Sequence, residues 1–211
     1  MSKTVTITGM EVTAKSDGIF LEVAGSQDNN YTTFSTTGTN AVDEDLFPVH
    51  HETWSGVADI TDFDLATAGT YDNWYYRYSD LSDDADHNMT AKTYISRFDD
   101  YVADTYYAVR LHSGSQDTGY DLRVKSITIP ANKGITVVVA GADGYQEFNA
   151  TSDSDISATS TVLANTVTTT AQNVNVYIYF NGDDDNVYTD NITALTGQVQ
   201  IELTADTVDN A

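Results

Sequence analysis

Apolar and polar residues alternate with a period of two along much of the chain, and the apolar positions are mostly β-branched or aromatic. That pattern marks strands with one covered face. It predicts strand over residues 4–13, interrupted at Gly9, and over 19–23, ended by Ala24-Gly25-Ser26. A short third strand is predicted at 31–35. Trp74-Tyr75-Tyr76-Arg77-Tyr78 reads as a strand with aromatics on both faces. Further strands are predicted at 106–111, 120–129, 145–148, 161–169, 174–180 and 198–204. In the second of these, Leu122, Val124 and Ile127 are the expected core positions. The run 134–140 is the most hydrophobic, which predicts a central strand. Residues 36–72 are irregular and polar with isolated apolar anchors, so they read as an excursion packed over one edge of the sheets. One short helix is predicted within 89–102, where Ala91, Tyr94, Ile95, Phe98 and Val102 recur at three- and four-residue spacing.

About ten short strands separated by Gly, Asn and Asp turns define an all-β chain. Strands do not alternate with long helices, which excludes a parallel α/β fold. The expected architecture is an antiparallel β-sandwich of jelly-roll type with at most one short helix. A single domain is expected over 1–204, with 36–104 as a long excursion of irregular loops and 205–211 as a polar tail.

Composition narrows the function classes. The chain has 211 residues, 40% of them apolar, including 14 Tyr and 7 Phe, enough for one large core. Nine basic residues face 32 acidic ones, a net charge of −23. Nucleic-acid backbones and anionic membrane surfaces repel such a chain, so neither is expected as a partner. No apolar run approaches the ~18 residues of a membrane-spanning helix, and no membrane insertion is expected. There is no cysteine, hence no disulfide and no thiol nucleophile. No nucleophile elbow, phosphate loop or helical zinc motif occurs, so catalysis is not expected.

Two acidic loops are candidate cation sites. Asp183, Asp184 and Asp185 follow Asn181-Gly182, and Asp84, Asp86 and Asn88 alternate in a second loop. Calcium takes six to eight oxygens, which such clusters supply in part. Neither loop has the glycine and terminal glutamate of a calcium loop, and a solvated turn is the more ordinary reading of both. No other cofactor is expected. His50 and His51 read as loop histidines in water. Trp54, Trp74 and Tyr76 are candidates for stacking on sugar rings, against burial as the default for large aromatics.

Thr6-Ile7-Thr8-Gly9-Met10-Glu11-Val12, followed by Ser16-Asp17-Gly18-Ile19-Phe20-Leu21-Glu22-Val23, resembles the start of the mature region in certain secreted proteins of gut Clostridia. The stretch 174–191, with its Asn181-Gly182-Asp183 turn and Val187-Tyr188-Thr189, resembles their C-terminal hairpin. Proteins of this kind carry a SipW-type signal peptide and are similar to the TasA/camelysin group of biofilm-matrix fibre proteins. The resemblance implies an extracellular or cell-surface jelly-roll subunit that self-associates into filaments. In such fibres an N-terminal strand completes the sheet of the next subunit, because a donated strand satisfies an open edge. The candidate donor here comprises Thr4, Val5, Thr6, Ile7 and Val12; the competing reading is an ordinary first strand. Met1-Ser2-Lys3 leads directly into Thr4, so the secreted expectation takes residue 1 as the mature start. The alternatives are a carbohydrate-binding or adhesive module with a polysaccharide partner, and a virion surface protein.

Overall fold

Alternation along each long strand gives it one apolar face, and two sheets bring those faces together. The computed structural model describes residues 3–14, 21–51, 74–77, 92–95, 99–112, 118–129, 134–149, 154–157, 160–184, 187 and 195–207. These contain fourteen strands. In chain order they are β1 (Lys3–Ala14), β2 (Leu21–Ala24), β3 (Thr37–Leu46), β4 (His50–His51), β5 (Trp74–Arg77), β6 (Lys92–Tyr94) and β7 (Val102–Leu111). Then follow β8 (Gly119–Ile129), β9 (Ile135–Ala140), β10 (Tyr145–Asn149), β11 (Ser154–Ser157), β12 (Ala164–Val167), β13 (Gln172–Phe180) and β14 (Leu195–Asp206).

The first sheet runs β11-β8-β14-β1-β3, with β12 also on β8; the second runs β10-β9-β13-β7-β2. Their facing side chains form one core. Met10, Val12, Val42, Leu122, Ile127 and Ile201 from the first sheet meet Val23, Val109, Val137, Val176, Ile178 and Phe180 from the second. Nearly all pairings are antiparallel, as expected of a sandwich; β1 and β14 pair in parallel. The chain passes back and forth between the sheets, so terminal strands and internal ones share one core.

A third, three-stranded sheet, β4-β5-β6, lies on the far side of the second sheet. Val49, Trp74 and Ile95 pack there against Val102, Val138, Ala140, Tyr177 and Tyr179. The second sheet is therefore covered on both faces. This is why every residue of β9 is buried and why β13 is buried without a break from Val176 to Phe180. β9 has a partner on each side, in agreement with the central position expected from its hydrophobicity.

β1 is tied across the core as well as within its sheet. Its register shifts at Gly9 against both neighbours, between Ile7 and Gly9 on β14 and between Ile7 and Met10 on β3. Next to that bulge the buried Tyr107 hydroxyl of β7 donates to the Met10 carbonyl at 2.6 Å. A bulge leaves a backbone group outside the ladder, and the phenol engages one at this point. Tyr107→Phe keeps the ring and removes that bond. The expected loss is about 1–2 kcal/mol, measured by denaturant unfolding with an unchanged slope.

Several expectations are corrected. Residues 92–94 are strand and 99–101 are turn, so the described part of the predicted helix is not helical. The register explains it: Tyr75, Tyr76 and Arg77 claim Tyr94, Thr93 and Lys92 as strand partners. The predicted strand at 31–35 is turn and coil, with one bridge from Ser35 to Val23. The region taken as irregular from residue 36 contains β3, ten residues of edge strand. β14 continues through Ala205 and Asp206 into the stretch taken as tail. Ala205 is buried, and Arg123 donates to both Asp206 oxygens at 2.9 and 2.8 Å.

Candidate functional site

Two places combine features that ordinary packing does not require. The first is the slot that holds β1. The strand lies between β14 and β3, with residue pairs from Val5–Leu195 to Ala14–Leu203 on one side and from Lys3–Leu46 to Thr13–Thr37 on the other. Thr4, Val5, Thr6, Ile7 and Val12 all fall in this run, and Val12 is buried in the core. Here the candidate donor completes the sheet of its own chain. On β3, the edge strand of this sheet, Asp43 and Asp45 are exposed.

The second place is a cleft where β10, the end of β13 and β4 converge. Its volume is about 520 Å³, and it is lined by His51, Tyr145, Gln146, Glu147, Tyr179, Asn181 and Asp183. Strand register assembles it: Tyr145 and Glu147 project two residues apart from β10, and Tyr179 comes from β13 across β9. The Tyr179 hydroxyl donates to Glu147 Oε1 at 3.3 Å. Burial, and then the nearby Glu147 charge, push the Tyr179 hydroxyl well above its ordinary pKa, so it stays a donor at every physiological pH. Burial raises the Tyr177 hydroxyl on the same face too, with Asp104 adding to it.

The rim is a tight turn. Asp183 N–H donates to Asn181 Oδ1 at 2.9 Å, and Asp184 N–H to the Asn181 carbonyl at 3.0 Å. This is the side-chain-capped turn that Asn favours. Gly182 N–H donates to the Val49 carbonyl, and a Cβ there would sit 2.6 Å from His50 Nε2. Only glycine fits this approach, which explains its place ahead of the acids. His50 itself is fully buried, not a loop histidine in water. Its Nδ1 lies 2.8 Å from Asp183 Oδ1, and its ring stacks on Tyr75 at 5.0 Å.

The candidate metal residues thus take other roles where they are described. Asp183 anchors His50, and the Asp184 backbone closes the turn. Among the described residues no group of three His, Cys, Asp or Glu side chains converges as a metal site. Asp185, Asp84, Asp86, Asn88 and Trp54 lie outside the described residues. Trp74 is only 3% exposed, with its ring edge-on to Tyr179 at 4.9 Å, so it is a core residue and not a stacking platform. Tyr76 is half-buried, stacked on Tyr101 at 5.8 Å.

Sequence reading missed the cleft. Glu147 and Tyr179 are 32 positions apart, and His50 and Asp183 are 133 apart, so no local spacing links them. The usable signal was the polar pair Gln146-Glu147 inside an otherwise strand-like run. The fold and these two places define an all-β sandwich protein with its first strand held inside a sheet and, among the described residues, a polar cleft. No family model matches the chain, and no curated protein or solved structure matches it either.

Proposed function

We propose that the chain is a secreted structural subunit of a cell-surface or matrix fibre, a jelly-roll sandwich that polymerises by exchange of β1. The observation that supports this reading is that β1, the first strand in chain order, is inserted between two other strands of its sheet, β14 and β3. Within the sheet β1 pairs only with β14 and β3, so its exchange leaves every other strand pairing in place. The vacated slot has two unpaired edges, and another copy's β1 satisfies both with the same contacts. Each subunit then gives one strand and receives one, so growth is head-to-tail. The exposed acids of β3 oppose the competing route, side-by-side pairing of edges.

The chain has no cysteine, so a single engineered disulfide tests the proposal without side reactions. Thr6 and Asp43 are directly opposed in the antiparallel β1–β3 pair. Opposed Cα atoms in such pairs lie about 4.5–5.5 Å apart, inside the range a disulfide spans. In Thr6→Cys/Asp43→Cys, oxidation ties β1 to its own subunit. The oxidised protein is expected to remain monomeric at concentrations where the reduced protein forms filaments under the electron microscope. Equal polymerisation of both forms rules out strand exchange.

A further inference from the structure

We propose that the cleft between β10 and the Asn181–Asp184 turn binds a neutral sugar unit of a glycan. This site is separate from the β1 slot and does not depend on the fibre reading. It also differs from the aromatic residues singled out in the sequence, since Trp74 is buried in the core.

Three properties of the cleft point to this ligand class. Its volume of about 520 Å³ is that of a small-ligand site, and it suits one or two sugar rings. Its chemistry is the second. Glu147 and Asp183 offer carboxylate acceptors, Asn181 an amide, and Tyr179 a hydroxyl held protonated. Sugar hydroxyls donate and accept, so they match a mixture of this kind. Tyr145, half-buried at the wall and packed against the core cluster around Trp74 and Tyr179, adds aromatic surface to the lining, which suits the C–H side of a pyranose. Among the described residues no lysine or arginine lines the cleft, so a phosphate or carboxylate ligand would meet the Glu147 and Asp183 carboxylates with no lysine or arginine to offset its own charge. A purely apolar ligand would strip water from the same carboxylates.

The third property is that the polar groups are fixed in advance. Glu147 is held by the Tyr179 hydroxyl, Asp183 by the buried His50, and Asn181 by the Asp183 backbone. Ordering these side chains on binding therefore loses little entropy, which is where weak sugar sites usually lose affinity.

The test uses the full chain against an array of neutral glycans, followed by calorimetry with maltose, cellobiose and diacetylchitobiose. At least one is expected to bind in the millimolar range or tighter, with affinity nearly unchanged between about 0.05 and 0.5 M salt. Glu147→Gln, Asn181→Ala and Tyr145→Ala are each expected to weaken binding by about tenfold or more while keeping the melting temperature within a few degrees. Should one variant fail to fold, the other two decide the matter. Absence of binding to every neutral glycan overturns the proposal. So does binding that all folded variants retain, which places the sugar elsewhere. Binding of putrescine or glucosamine alone, lost at the higher salt, makes the cleft an amine site and overturns it as well.

Discussion

A chain lacking residues 1–14 is expected to lose its cooperative melting transition and to regain it when a separate peptide of residues 3–14 is added. Removing β1 takes away nine residue pairings with β14 and nine with β3, and it exposes both strands along their length. Met10 and Val12 also leave the core, where both are almost completely buried. Each buried apolar side chain of this size is worth about 1.5–3 kcal/mol, and each ladder bond adds about 1 kcal/mol net. Typical domains have only about 5–15 kcal/mol in total, so the truncated sandwich should not hold together alone. The peptide restores the same contacts in trans and raises the melting temperature with its concentration, as any ligand of the native state does. A peptide with Met10→Asp should fail, because it inserts a charge beside Tyr107 and the core. Calorimetric melts of the truncated chain, with and without peptide, decide the outcome. A truncated chain that melts like the intact one would remove β1 from the list of structural requirements.

The second large effect is expected at Asn40. This side chain is fully buried on β3, opposite Met10 in the register. Its Nδ2 donates to Thr105 Oγ1 and to the Tyr106 carbonyl, each at 2.8 Å, and its Oδ1 accepts from Ser26 N–H. It thus joins three elements: an edge of one sheet, β7 of the other, and the turn between β2 and β3. That turn is conformationally demanding. Asn29, Asn30 and Tyr31 all have positive φ, at 53°, 53° and 63°. A left-handed backbone is uncommon for any residue but glycine, and a bulky residue there is a clear outlier. Tyr31 is held by a parallel stack on Tyr106 at 4.1 Å, and Asp28 accepts from the Gly25 and Thr39 N–H groups. Asn40→Leu leaves the Ser26 N–H and the Tyr106 carbonyl without their partner and releases this turn. Two part-buried polar groups left without this partner cost about 1–2 kcal/mol each, so a loss of about 2–4 kcal/mol is expected. Denaturant unfolding measures it, and protease cleavage within residues 25–33 reports the released turn. A loss under about 1 kcal/mol would mean that water replaces the amide freely.

How much of this was legible in the sequence depended on whether the signal was local. Most strands from 120 onward were readable because β-branched and aromatic residues alternate there; β11, whose Ser154-Asp155-Ile156-Ser157 carries one apolar residue, was not predicted. β8 also carries a bulge, although only its core positions were read from the sequence. Leu122 and Val124 share one parity and Ile127 the other, yet all are buried, because the register against β14 shifts there. β3 was not readable: Thr37, Gly38, Asn40 and three successive acids at 43–45 look like a loop. Its strand state comes from β1, which offers a ladder along its length, and from Asn40, whose polarity is satisfied only across the core. The helix predicted at 89–102 failed for the opposite reason. Its spacing suits a helix, but Lys92 to Tyr94 gain strand partners in β5. The cleft was invisible because its members meet only through the order β10-β9-β13 and the return of the chain to His50.

The parallel run of β1 beside β14 has a mechanical consequence. Residue 3 of β1 lies toward one end of this pair and residue 206 of β14 toward the other. Tension applied between these two points therefore drags the two strands past each other. All the slanted hydrogen bonds between them bear the load at once, instead of opening singly as in a hairpin pulled from its ends. A molecule stretched along this axis resists until the whole ladder yields together.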